Sequence, residues 1–110
     1  MANILRGEIE AMIDGESKTL CLTLGALAEL EAKMQAKDLV GLSERFESGR
    51  LSARDLMAII GAGLRGAGNV ISDDDLARMS IEGGLTGAAK IAVDLLVATF
   101  GGQKNNEQEK

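Results

Sequence analysis

Residues 61–68 read Gly-Ala-Gly-Leu-Arg-Gly-Ala-Gly. Gly61, Gly63 and Gly66 make a literal G-x-G-x-x-G, the spacing of a dinucleotide-binding loop. That loop requires a strand before its first glycine and a helix after its last, because the pyrophosphate rests on a helix N-terminus. Here the order is reversed. Ser52–Leu64 has helical spacing ahead of the glycines, and residues 66–72 read as an exit loop. The glycines therefore serve packing: Gly61 and Gly63 are expected to let a neighbouring element approach closely, at a propensity cost of about 1 kcal/mol each. Gly66 or Gly68 is expected to supply the left-handed residue that ends the helix. No Gly-Lys-Ser/Thr occurs, so a Walker loop is absent as well.

Working outward on the N-terminal side, Gly7–Ile13 and Lys18–Leu24 alternate as two strands. Ile9, Ala11 and Ile13 share one face, and Leu20, Leu22 and Leu24 share the matching face. Asp14-Gly15 lies between them, a hairpin turn whose two residues tolerate positive φ. A two-residue loop pairs Ile9 with Leu20, and a four-residue loop pairs it with Leu22. A lone hairpin is marginal in water, so helices must cover its apolar face.

Thr23 is an N-cap for a helix to about Gln35, with Leu27, Leu30 and Met34 on one stripe and Glu29 and Lys33 paired outside it. Asp38 caps a second helix with Leu39, Leu42 and Phe46 inward and Gly49 at its end. Ser52-Ala-Arg-Asp55 is a capping box opening a third helix with Leu56, Ile59, Ile60, Gly63 and Leu64. Ser72 opens a short fourth helix whose three aspartates suit its positive end, and Gly83-Gly84 closes it. Thr86 starts a last helix to about Phe100. The predicted fold is α+β, mostly α: a hairpin followed by about five short helices in a single domain over residues 1–100. Residues 101–110 form a polar tail expected to be disordered.

Composition narrows the chemistry. Aromatic content is 2%, with two Phe and neither Tyr nor Trp, so the core must be aliphatic and few side chains can stack on bases or sugars. The net charge of −5, with no basic block, speaks against binding nucleic acid through its phosphates. Histidine is absent, which excludes Ser-His and Cys-His catalysis and imidazole metal sites. The single Cys21 permits no internal disulfide, and acidic strand neighbours blunt its nucleophilicity. Asp73, Asp74 and Asp75 are consecutive, unlike the spaced oxygens of a calcium loop. Glu8 and Glu10 read as a solvated strand face. The opening residues carry no signal-peptide apolar stretch, and uncharged runs such as Leu56–Leu64 fall well short of the roughly 18 residues a membrane span needs. No catalytic, cofactor or metal residues are nominated, and no membrane partner is expected.

The segment 88–100, Ala-Ala-Lys-Ile-Ala-Val-Asp-Leu-Leu-Val-Ala-Thr-Phe, carries only Lys90 and Asp94 as charges. Ile91, Val93, Leu95, Leu96, Val97 and Phe100 cover most of the remaining circumference. Such a helix is either central to the core or has one face for the core and another for a partner or a second copy.

Three stretches, Arg6-Gly7-Glu8-Ile9-Glu10, Leu22-Thr-Leu-Gly-Ala-Leu-Ala-Glu-Leu-Glu31 and Gly63-Leu-Arg-Gly-Ala-Gly68, resemble the gene-transfer-agent type of phage tail assembly chaperone, over about residues 5–100. Members of that family have also been labelled tail tube proteins. The resemblance implies a mostly helical fold with a small N-terminal β element. It further implies a non-enzymatic role in the bacterial cytoplasm: binding the tail tape-measure protein, keeping its apolar surface soluble, and recruiting tail tube protein around it. The alternative it implies is a structural component of the tail. It offers no catalytic residues. The candidate partner-binding residues are Leu27, Leu30 and Met34 on the first helix and Val93, Leu96, Val97 and Phe100 on the last, with homo-oligomerisation possible.

Overall fold

A computed structural model describes Asn3 and residues 6–101. The hairpin forms with the shorter loop. Strands β1 (Glu8–Ile13) and β2 (Glu16–Cys21) pair antiparallel with Ile9 opposite Leu20 and Ile13 opposite Glu16. Asp14 (φ 56°) and Gly15 (φ 80°) both take positive φ, the turn whose twist matches that of the strands. Ile9, Ile13 and Leu20 are buried on the face predicted for them.

Five helices follow: α1 (Leu24–Lys33), α2 (Leu39–Glu47), α3 (Ala53–Gly66), α4 (Asp73–Ala77) and α5 (Gly84–Leu96), the last running into a π-helical turn over Val97–Gly101. The expected α+β architecture, a hairpin followed by five helices, is the one observed. Four of the starts were written in the sequence. The Thr23 hydroxyl accepts from the Ala26 N–H at 3.1 Å and the Asp38 carboxylate from the Gly41 N–H at 2.8 Å. Ser52 with Asp55, and Ser72 with Asp75, form reciprocal capping boxes.

Helix α3 is the centre of the molecule. It packs against β2, α1, α4 and α5, and eight of its fourteen residues are buried. A helix enclosed on several sides cannot carry large side chains all round, so Ala58, Gly61, Ala62 and Gly63 alternate with Ile59, Ile60 and Leu64. Two glycines set how close the neighbours come. A Cβ on Gly63 would lie 2.6 Å from Leu95 Cδ2 and 3.2 Å from Leu20 Cβ. A Cβ on Gly66 would lie 2.1 Å from the Cys21 carbonyl oxygen. Gly66 is thus a point of backbone contact between α3 and β2, whereas Gly68 (φ 98°) is the left-handed residue beyond the helix end.

Other expectations are corrected. Leu24 does not extend the strand face: the Thr23 cap makes it the first residue of α1, where it is 81% exposed. Leu39, expected inward, stands at the start of α2 and is 40% exposed. Gly83-Gly84 does not close α4, which ends at Ala77. Gly83 is instead a left-handed N-cap (φ 87°), so α5 begins two residues before Thr86. Regular helix stops at Leu96, short of Phe100, where the widened turn begins and the Thr99 hydroxyl donates to the Leu95 carbonyl at 2.7 Å. The tail from residue 102 lies outside the described residues.

Gly66→Ala should lower stability by at least ~2 kcal/mol, because the clash is with backbone that cannot rotate away. Gly25→Ala, on the exposed first turn of α1, should instead raise it by roughly 0.5 kcal/mol. Urea denaturation of the two variants beside the parent checks both signs.

Candidate functional site

The seven candidate contact residues fall into two groups. Leu27, Leu30, Met34 and Leu96 are sealed in the core, at 7%, 0%, 4% and 9% exposure. Their stripes face α3 and its neighbours. Val93 and Val97 lie across the helix from buried Ile91 and Leu95 and are each 52% exposed. Phe100 is half-buried, with its ring 6.2 Å from that of Phe46, so the two aromatic residues of the chain lie against each other and tie α2 to the end of α5. The exposed aliphatic surface along α5 comprises Leu85, Val93 and, just past its end, Val97, with half-buried Ala89 completing a four-residue spacing and the Lys90–Asp94 ion pair (2.8 Å) beside it. The spacing made this pair legible in advance. Which valines point outward was not, because apolar residues cover most of the helix.

A second constellation escaped the sequence reading in part. Glu29 and Lys33 pair along α1 at 3.0 Å, as their spacing indicates. The structure adds Arg65 from α3 and Asp73 from α4. Arg65 Nη2 donates to Glu29 and Lys33 Nζ donates to Asp73. Arg65 Nη1 donates to the Ile71 carbonyl at 3.0 Å. Its 3.2 Å contact with Asp73 Oδ1 is therefore an ion pair, and that oxygen is buried with no donor aligned on it. Four charges from three helices thus close one knot over the α1–α3–α4 junction.

The titration behaviour follows from this geometry. Burial alone would raise Glu29, but hydrogen bonds and charge from Arg65 and Lys33 outweigh it and hold the carboxyl below its ordinary range. The hydrogen bond from Lys33 dominates at Asp73 and lowers it too, against partial burial. Burial would lower Lys33, yet its two carboxylate partners raise it. Arg65 is raised chiefly by its hydrogen bond to Glu29. Each cation has a fixed carboxylate partner, so the knot is a clamp and not a poised acid–base pair.

Elsewhere the chemistry is quiet. Burial, then the Glu8 charge opposite it, pushes the Cys21 thiol up, which suppresses thiolate. An open cleft of about 340 Å³ lies between the hairpin end and residues 69–79, with Ile13, Leu64, Ile71 and Met79 among its lining and Lys18 and Arg78 at its rim. Lys18 is paired with Glu16 at 3.0 Å and Arg78 with Asp75 at 3.5 Å. Among the described residues no cluster of His, Cys, Asp and Glu has the makings of a metal site, and no helix is long and apolar enough to cross a membrane.

The surface is thus one of contact faces and ion pairs, and the family comparison agrees in kind. The family model described as phage tail tube protein, GTA-gp10, matches residues 6–102. The chain belongs to that family. The match spans β1 through the π-helical turn, so the family pattern and the described fold coincide. It bears out the gene-transfer-agent and phage-tail resemblance seen in the sequence, while its description names the tube and not a chaperone. No curated protein and no solved structure matches the chain. For this tail tube family member, the residues of interest are accordingly those that offer surface, chiefly the outer side of α5.

The charge knot makes a pH prediction. Glu29 and Asp73 bind protons less readily folded than unfolded. Their contribution is complete above the ordinary carboxylate range near pH 4 and is lost as pH falls through their lowered values. Lys33, being raised, loses its contribution only on the alkaline side. Urea midpoints should therefore drop between about pH 5 and pH 3, and the drop should shrink in Glu29→Gln/Asp73→Asn. At neutral pH Arg65→Met should cost roughly 1–2 kcal/mol, solvent screening of this half-open cluster keeping the figure low.

Proposed function

We propose that this protein is a structural component of a phage-like tail and acts by non-covalent contact with other tail proteins, without catalysis. The observation that carries this reading is the family match over residues 6–102, the whole of the described helical domain. The physical means is burial of aliphatic helix surface. Val93 and Val97, each half-exposed, would contribute about 1 kcal/mol apiece on being covered. Tail tube and tape-measure proteins are the partners in view, met in the cytoplasm of a bacterial host while the tail is built.

A second reading, an assembly chaperone absent from the finished tail, has one structural observation in its favour. The only sheet among the described residues has two strands. Part of its outer edge is already occupied: the Asn69 side chain donates to the Thr19 carbonyl, and the Ser80 carbonyl accepts from the Asp14 N–H. Little strand edge remains for building a continuous wall. The exposed aliphatic side chains of α5 suit transient shielding of a partner helix.

Quantitative mass spectrometry of purified particles separates the two readings. As a structural component the protein should be recovered in many copies per particle. Recovery only from the lysate of assembling cells, bound to tape-measure protein and missing from particles, would establish the chaperone reading instead.

A further inference from the structure

The outer side of α5 has features that specify what it fits. Leu85 is 72% exposed, Ala89 is half-buried, and Val93 and Val97 are each 52% exposed. Spaced by four, they form one ridge about 18 Å long. Lys90 and Asp94 flank that ridge on one side only, one turn apart and of opposite sign, with side chains 73% and 46% exposed. Residues 102–110, Gly-Gln-Lys-Asn-Asn-Glu-Gln-Glu-Lys, carry no apolar side chain to lay on the ridge. With a net charge of −5, a phosphate backbone is an unsuitable occupant as well.

We infer that this face pairs with the same face of a second copy, antiparallel about a two-fold axis at the level of Ala92. An isologous contact demands that a patch be complementary to itself, and the order of side chains here meets that demand. Reversing the helix sets Lys90 of one copy level with Asp94 of the other, and Asp94 level with Lys90. Small Ala89 then falls level between Val93 and Val97 of the partner ridge, which lets the helices approach. A parallel arrangement would put the two charged strips on opposite edges of the contact, where neither meets a partner. One helix ridge buries far less than the roughly 800 Å² per partner of a stable dimer, so the pairing is weak, with a dissociation constant on the order of 100 µM. The inference rests on α5 and not on the tail assignment, and its test uses purified protein only.

Sedimentation equilibrium of the full chain from about 10 µM to 1 mM should show reversible dimerisation. Val93→Asp should weaken it by at least ~10-fold while far-UV circular dichroism stays unchanged, and Val97→Asp serves as a second probe of the same ridge. The decisive variant is the swap Lys90→Glu/Asp94→Lys. It keeps the pairing within each helix and between two swapped copies, but opposes like charges against the parent chain. The swapped protein should dimerise with itself as the parent does, and an equimolar mixture of the two should behave as two separate dimers. A chain that stays monomeric throughout, unchanged association in both aspartate variants, or free mixing of swapped and parent chains would each overturn the inference. None of these results bears on the particle composition that tests the tail role.

Discussion

The closeness of α3 to β2 is the constraint on which the rest of the molecule depends. At Gly66 the helix backbone rests against the Cys21 carbonyl, and at Gly63 it lies under Leu20 and Leu95. A two-stranded hairpin has little stability of its own in water. Here its apolar face is held because a helix with almost no side-chain bulk at those positions comes down onto it. The same thinness lets α5 reach α3 from another side through Leu95, which is fully buried. With only two aromatic residues in the chain, wide gaps between elements would have few side chains large enough to fill them. Short interhelical distances are how an aliphatic core of this size reaches native packing density.

What could be read in advance was what is decided locally. Asp14-Gly15 marked the turn while leaving its loop at two or four residues, and Thr23, Asp38, Ser52 and Ser72 marked helix starts, because each acts on backbone groups within three residues of itself. Leu24 shows where two local signals conflict. Its place in an alternating run argued for a strand face, while the Thr23 cap beside it argued for a helix, and the cap prevailed. Gly83-Gly84 shows another limit. A glycine pair between two helical stretches signals a break but not its side, and here the left-handed Gly83 opens α5.

The charge knot and the outer face of α5 were legible only in their local parts. Glu29–Lys33 and Lys90–Asp94 follow from four-residue spacing. Arg65 and Asp73 join the first pair from 36 and 40 residues away in sequence, a juxtaposition made by tertiary packing that no spacing rule contains. For α5 the periodicity identified apolar residues all round the helix. Whether Leu95 or Val93 faces α3 depends on how the helix docks, and here Leu95 lies over Gly63 of α3. The family pattern supplied the tail connection, which neither composition nor geometry would have suggested alone.

The π-helical turn after Leu96 has a bearing on how this region tolerates sequence change. A π turn holds one residue more than the α-helical turn it replaces, so everything beyond it is slipped in angular phase by about 100°. Phe100 meets Phe46 in that slipped phase. Loss of a single residue within 97–101 would let the segment relax into ordinary α-helix and swing the ring away from α2, whereas side-chain replacements there leave the phase intact. At these five positions chain length sets the phase, and the Phe100 ring makes the contact that the phase permits.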